Sequence, residues 1–169
     1  MTLRADAQRN LDRVVDAAAA CFAEKGCDVS VDEIARRAGV GHGTVFRRFP
    51  SKEALIQAVL GELLTTVTSV AEECAGEPGG FERFLRRAAS EYAQNRALLE
   101  AFKRCEATAD AEAFATAVER LVVQAQANGE LRRDVSADDV LRLVPAASEF
   151  PDVILDGLRP VRQASARGT

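Results

Sequence analysis

Nowhere in this chain do apolar and polar residues alternate with period two for long enough to make a strand; apolar residues recur instead at spacings of three and four. A helix returns to the same face about every 3.6 residues, so this spacing builds apolar stripes on helices. Leu11, Val14, Val15, Ala18, Cys21 and Phe22 form the first stripe, which ends at Gly26. Ser30 offers an N-cap, and Glu33 three residues on predicts a reciprocal capping box for a short helix over 31–38, closed by Gly39. A second short helix fits between Gly41 and Pro50, and Ser51 caps a long helix from Lys52 towards residue 75. GEPGG at 76–80 is the clearest break. Further stripes run through Phe81, Phe84, Leu85, Ala88 and Tyr92, through Leu98, Leu99, Phe102 and Cys105, and through Phe114, Val118, Leu121 and Ala125. Ser136 caps a helix expected to halt at Pro145, because an interior proline costs about 3 kcal/mol. A last segment runs from Phe150 to Arg159. The expectation is an all-α chain of about nine helices.

Length and composition narrow the function. At 169 residues, 47% apolar and 28% charged, the chain suits one globular domain or two small ones sharing a core. A net charge of −4 argues against nucleic-acid binding only when averaged over the molecule. Residues 1–53 hold nine Lys/Arg against eight Asp/Glu, and the remainder thirteen against eighteen, so the N-terminal third is the more basic. There is no unbroken apolar run of about 18 residues, so no membrane span is expected. The opening MTLRADAQRNLDR lacks the apolar centre of a secretory signal, and a cytoplasmic location is expected. The four cysteines (Cys21, Cys27, Cys74, Cys105) show no C-x-x-C spacing, and His42 is the single histidine. Neither a zinc site nor a Ser-His-Asp relay can be assembled from them, so no metal, no cofactor and no catalytic residue is expected. The cysteines read as reduced small hydrophobes, with redox sensing by Cys74 or Cys105 as the alternative.

The segment GVGHGTVFRRFPSKEAL at 39–55 gathers unusual chemistry. Two short helices joined by a glycine-containing turn have the dimensions of a helix-turn-helix. A helix entering a major groove about 12 Å wide needs compact leading side chains, and Gly41, His42, Gly43 and Thr44 are compact or flat. Thr44 suits a base edge or a thymine methyl. Arg47, Arg48 and Lys52 suit phosphates, as do Ser30 and the first N–H groups of helix 31–38. Val45 and Phe49, four apart, are expected to face inward against Phe22, Ile34 and Ala38. A glycine-rich turn with two arginines also occurs in helical proteins that bind no DNA, and spacing alone does not separate the two.

VSVDEIARRAGVGHGTVFRRFPSKEALIQAV resembles the signature of the TetR (tetracycline-repressor-like) transcriptional regulators. Ile34-Ala35, Ala38-Gly39-Val40, Gly43-Thr44-Val45-Phe46, Phe49, Ser51-Lys52-Glu53 and Leu55 fit it, and the match extends over residues 9–60. The resemblance implies an N-terminal three-helix helix-turn-helix DNA-binding domain (1–50), followed by a helical effector-binding and dimerisation domain (51–169). It implies a cytoplasmic, homodimeric repressor that a small apolar or amphipathic effector releases from a palindromic double-stranded operator. Thr44 and His42 take roles at the groove, and Lys52 lies near a phosphate. Phe46 stands where the family usually has a phosphate-touching tyrosine, so that contact is lost or replaced by packing. Arg48 replaces a common histidine and adds a charge.

The second domain resembles the family more weakly, through NGELRRDVSADDVLRL and DGLRP. Tyr92, Phe102, Cys105 and Phe114 are the candidate ligand-pocket residues, although an aromatic stripe at helical spacing is most often core. In the resembling proteins two long C-terminal helices pair with their symmetry mates. Here Pro145 and Pro151 compress that region, so part of the interface is lost or a flexible segment lies between Val144 and Phe150. The competing readings are a helical small-molecule binder or enzyme with a vestigial helix-turn-helix, and a constitutive regulator without ligand.

Overall fold

The computed structural model describes the backbone of residues 2–102 and 109–160, and the side chains of 8–99 and 109–160. Among these residues there are eight α-helices, one 3₁₀ turn and no strand: α1 (Thr2–Lys25), the 3₁₀ turn Gly26–Asp28, α2 (Val31–Ala38), α3 (His42–Arg48), α4 (Lys52–Cys74), α5 (Gly80–Phe102), α6 (Ala109–Ala127), α7 (Ala137–Glu149) and α8 (Pro151–Leu158). The chain divides into two compact units. One takes in Met1–Thr65 and Ala93–Asp110, the other Thr66–Tyr92 and Ala111–Thr169.

In the first unit the stripe of α1 (Val14, Ala18, Cys21, Phe22) packs with Ile34, Ala35 and Ala38 of α2, Val45 and Phe49, Leu55, Val59 and Leu60 of α4, and Leu98 of α5. Local chemistry sets the helix ends. Ser30 Oγ accepts the Glu33 N–H at 3.2 Å and starts α2. The expected return bond from Glu33 is replaced: its carboxylate pairs with Lys25 at the end of α1. That contact lowers the carboxyl pKa of Glu33 and raises the ammonium pKa of Lys25. α2 closes at Gly39, left-handed at φ 68° and ψ 33°, with the Gly39 and Val40 N–H groups returning to the Arg36 and Ala35 carbonyls at 3.2 and 3.0 Å. Only glycine adopts that conformation without a Cβ penalty. Ser51 Oγ accepts the Ala54 N–H at 3.1 Å and starts α4.

The core of the second unit joins Ala71 and Cys74 to Phe81, Phe84 and Leu85 of α5, Val118, Leu121 and Val122 of α6, Val140, Val144 and Ala147 of α7, and Leu155 and Leu158 of α8. One sequence expectation holds and one is corrected. The stripes on either side of Tyr92 lie on two helical stretches, because α5 is kinked at Asn95 (φ −112°, ψ 17°), where the backbone leaves the helical region. α7, however, does not halt at Pro145 but continues to Glu149. Val140 and Val144 before the proline and Ala147 after it are all buried, so continuing the helix keeps core packing that stopping would expose. The helix also starts firmly. Ser136 Oγ accepts the Asp139 N–H at 3.1 Å and the Asp139 carboxylate accepts the Ser136 N–H at 2.9 Å, a full capping box. The Ser136 hydroxyl also donates to the Asp139 carboxylate at 2.6 Å, and this bond, ahead of the one from the Ser136 N–H, lowers the Asp139 pKa. The stop falls at Phe150, and Pro151 opens α8 at a position where its missing N–H costs nothing.

α4 is long and apolar enough to cross a bilayer by length and mean hydropathy (1.5), although Glu62 and several hydroxyl residues interrupt its apolar run. Its apolar face is spent on folding. Leu55, Val59 and Leu60 lie in the first core, and Ala71 and Cys74 in the second.

Candidate nucleic-acid interface

The turn Gly39-Val40-Gly41 delivers the chain into α3 with Gly41 as an extended N-cap (φ −72°, ψ 145°), its carbonyl accepting the Thr44 N–H at 2.9 Å. α3 has only seven residues, too few to persist without tertiary support. Val45 and Phe49, 1% and 8% exposed, supply it from the core side. The opposite side is then solvent-facing by geometry: Gly41, His42, Gly43, Thr44, Phe46, Arg47 and Arg48 are all exposed. Ser30 is exposed beside them in sequence order at the start of α2, and Lys52 is half-buried at the start of α4.

Charge pairing sorts the cations of this unit. Lys25 pairs with Glu33, and Arg37 forms a two-pronged bridge to Glu24 at 2.6 and 2.7 Å. The Arg37 fork lowers the Glu24 pKa and raises its own. Arg36 stays largely exposed, with its nearest carboxylate, Glu33, at 4.0 Å. Arg47 and Arg48 form no ion pair with any described residue. They rim a groove of about 640 Å³ between α1 and α3, together with Gln8, Asn10 and Thr44, over a floor that includes Leu11 and Val14. Unpaired guanidinium forks beside a hydroxyl and a glycine-bare surface are equipped to grip phosphates and approach base edges.

Two further features sit on the exposed face. His42 Nδ1 meets the Asp32 carboxylate from the start of α2. The Phe46 ring, 41% exposed, stacks on the His42 imidazole with centroids 4.4 Å apart and planes tilted by 31°. Sequence reading missed Asp32, Gln8 and Asn10. No periodicity links Asp32 to a residue ten positions on, although its place in the first turn of α2 could have drawn attention to it.

The ligand-pocket candidates are not gathered by the described residues. Tyr92 and Phe114 are half-buried against the second core, Phe114 with its ring 6.4 Å from that of Phe84. The Phe102 side chain and the whole of Cys105 lie outside the described residues. Cys21 and Cys74 are buried free thiols, and burial raises the pKa of the partly exposed Cys27.

A short exposed helix that follows a glycine turn and packs against two preceding helices, in a chain that also folds a second helical unit, defines the architecture of a helix-turn-helix regulator. Residues 14–59 match the family model of bacterial regulatory proteins, tetR family, and residues 77–160 match that of the SbtR-like transcriptional regulator C-terminal domain. The HTH-type transcriptional repressor Rv1474c of Mycobacterium tuberculosis is 31% identical over 156 residues, covering 86% of this chain and 78% of that one. A TetR transcription regulatory protein from Mycobacterium vanbaalenii superposes with a TM-score of 0.76 at 35% identity, over 94% of this chain and 99% of that one. Other curated relatives match over a shorter stretch: 57 residues, 33% of this chain, align with 27% of SrpR and 42% of TtgW, both from Pseudomonas putida. The chain belongs to the TetR family of bacterial regulatory proteins, and it is a DNA-binding transcriptional regulator.

Proposed function

We propose that the protein is a homodimeric repressor that holds a palindromic operator and is released from it by a small apolar or amphipathic effector. Residues 1–50 bind DNA, and residues 51–169 bind the effector and dimerise. The observation that carries this reading is the division of α3, with Val45 and Phe49 locked into the core while Arg47 and Arg48 remain unpaired on the outside. Gly41, His42, Gly43 and Thr44 approach the base edges, and Ser30, Arg47, Arg48 and Lys52 grip phosphates. Phe46 contributes packing in place of a hydroxyl contact. Two such helices would enter successive major grooves about 34–36 Å apart. An effector near Tyr92, Phe102, Cys105 and Phe114 would act through α4, which supplies residues to both cores. A coupling of about 1–3 kcal/mol suffices for regulation. Retardation of the chain's own promoter fragment in a gel at low salt tests the proposal; a dimeric preparation that shifts specific and scrambled DNA alike refutes it.

Gly43 offers a two-signed prediction. A methyl added there meets nothing within 4 Å, and alanine in place of a helical glycine stabilises by about 0.5–1 kcal/mol. Gly43→Ala is therefore expected to raise the unfolding midpoint. The same methyl stands on the DNA-facing side, so operator affinity is expected to fall by about tenfold, or 1.4 kcal/mol. Paired denaturation and binding curves check both signs.

Self-association is assigned to α8. Val153, 69% exposed, shares a face of α8 with Gly157 four residues on, and Phe150, 59% exposed, caps the helix before it. Burying such a face between two copies removes apolar area from water. Val153→Asp is expected to convert dimer to monomer in sedimentation at micromolar concentration while helicity is unchanged. A dimer unaffected by this change would place the interface elsewhere.

A further inference from the structure

We infer that Asp32 is a specificity-determining residue, acting through His42 by setting which hydrogen-bonding group the imidazole turns towards DNA. This rests on the DNA-binding reading above and extends it to a side chain that touches no base. Asp32 sits in the first turn of α2, its side chain 75% exposed, and its carboxylate meets His42 Nδ1 on α3. An ionised carboxylate only accepts hydrogen bonds, so Nδ1 must carry the proton in that contact. In the neutral ring Nε2 is then left with its lone pair, an acceptor. The Phe46 ring lies across one imidazole face at 4.4 Å and limits rotation of the ring plane. Tautomer and orientation are thus both held before DNA arrives, by one residue from each helix of the motif.

The consequence is a definite preference. In the major groove an acceptor finds partners in the adenine N6 and cytosine N4 amino groups, whereas guanine presents N7 and O6 acceptors and thymine an O4 acceptor and a methyl. His42 held by Asp32 therefore selects adenine or cytosine at the position it faces. Asp32 also places a negative charge beside the phosphates, which lowers affinity for every sequence. Removing that charge is expected to strengthen overall binding while weakening discrimination. A residue that merely supported the fold would not produce that combination.

The experiment is selection from a randomised half-site library at pH 8.5 with the full chain, followed by binding curves on the enriched sites. The wild type, His42→Ala, Asp32→Asn and Asp32→Ala are compared, with helicity recorded for each. Wild type is expected to enrich adenine or cytosine at one position that His42→Ala makes indifferent. Both Asp32 variants are expected to cut the preference there about five- to tenfold, the low end of what a base contact contributes, with equal or tighter binding to random DNA. Asparagine can donate to Nδ1 as well as accept from it, so Asp32→Asn also admits guanine at that position. Removing the amino group of the preferred pair, by purine in place of adenine or 2-pyrimidinone in place of cytosine, is expected to abolish the preference, and an unchanged affinity overturns the inference. So does an unchanged base profile in both Asp32 variants, or a His42→Ala profile identical to wild type. A wild-type pool with no enriched half-site overturns the inference together with the operator-binding reading, whereas the other failures leave that reading standing.

Discussion

Arg47→Ala combined with Arg48→Ala is expected to abolish tight operator binding and leave the fold intact. Both side chains are exposed and neither forms an ion pair with a described residue, so their removal breaks no intramolecular interaction seen here. A hydrogen bond to a charged group contributes about 1.5–3 kcal/mol, so two phosphate contacts per protomer correspond to roughly a hundredfold loss or more. The salt dependence supplies an independent measure. Each phosphate neutralised adds about 0.9 to the slope of log affinity against log salt, so the double variant should lose nearly two units per protomer. Titrations at several salt concentrations read affinity and slope together. An unchanged slope would show that these arginines face solvent in the complex, and an effector affinity that survives the substitutions would separate regulation from folding. A vestigial helix-turn-helix would show no operator binding to lose. Arg37→Ala is the natural control, because Arg37 is already bridged to Glu24 and should leave the slope unchanged.

Gly80→Ala is expected to be the most damaging single change in the second unit. A Cβ on Gly80 would stand 2.0 Å from the Cys74 carbonyl oxygen and 3.0 Å from its carbon, distances at which backbone must move. Cys74 is itself buried in the core, and its carbonyl accepts the Glu77 N–H at 3.2 Å, so the turn cannot open without disturbing both. Overpacking of this kind costs about 3 kcal/mol or more, a large share of the roughly 5–15 kcal/mol that holds a domain together. Gly79→Ala isolates the backbone contribution. Gly79 has φ 67° but open space around it, so alanine there costs only about 1–2 kcal/mol of left-handed strain. Urea midpoints for the two variants rank the effects. Equal losses would mean that the turn relaxes freely and the close approach carries no weight.

Much of the fold is legible in the sequence because helix ends are local events. Ser30, Gly39, Gly41, Pro50 and Ser51 mark the bounds of α2 and α3 through interactions spanning three or four residues, and the structure puts the helices between them. Misreadings arise where a local rule competes with burial. Pro145 is a sound stop signal, but Val140, Val144 and Ala147 need one continuous helix to reach the core, and packing prevails. Glu33 was expected to complete its own cap, and Lys25, eight residues away, takes its carboxylate instead.

The candidate site divides in the same way. That α3 is short, glycine-rich and basic follows from the sequence alone, because spacing and residue type settle which side of it is apolar. Which cations stay unpaired does not follow. Arg36, Arg37, Arg47 and Arg48 look alike as letters, and only the approach of α1 to α2 commits Arg37 to Glu24 and spares the pair on α3. The meeting of Asp32 with His42 is likewise a product of the turn that folds α2 against α3. The sequence by itself determined the helices, their caps and the character of the exposed face, since these depend on neighbours within a turn or two. The tertiary structure decided the partners of each charge, since side chains far apart in the chain compete for the same ion and only their positions in space choose between them.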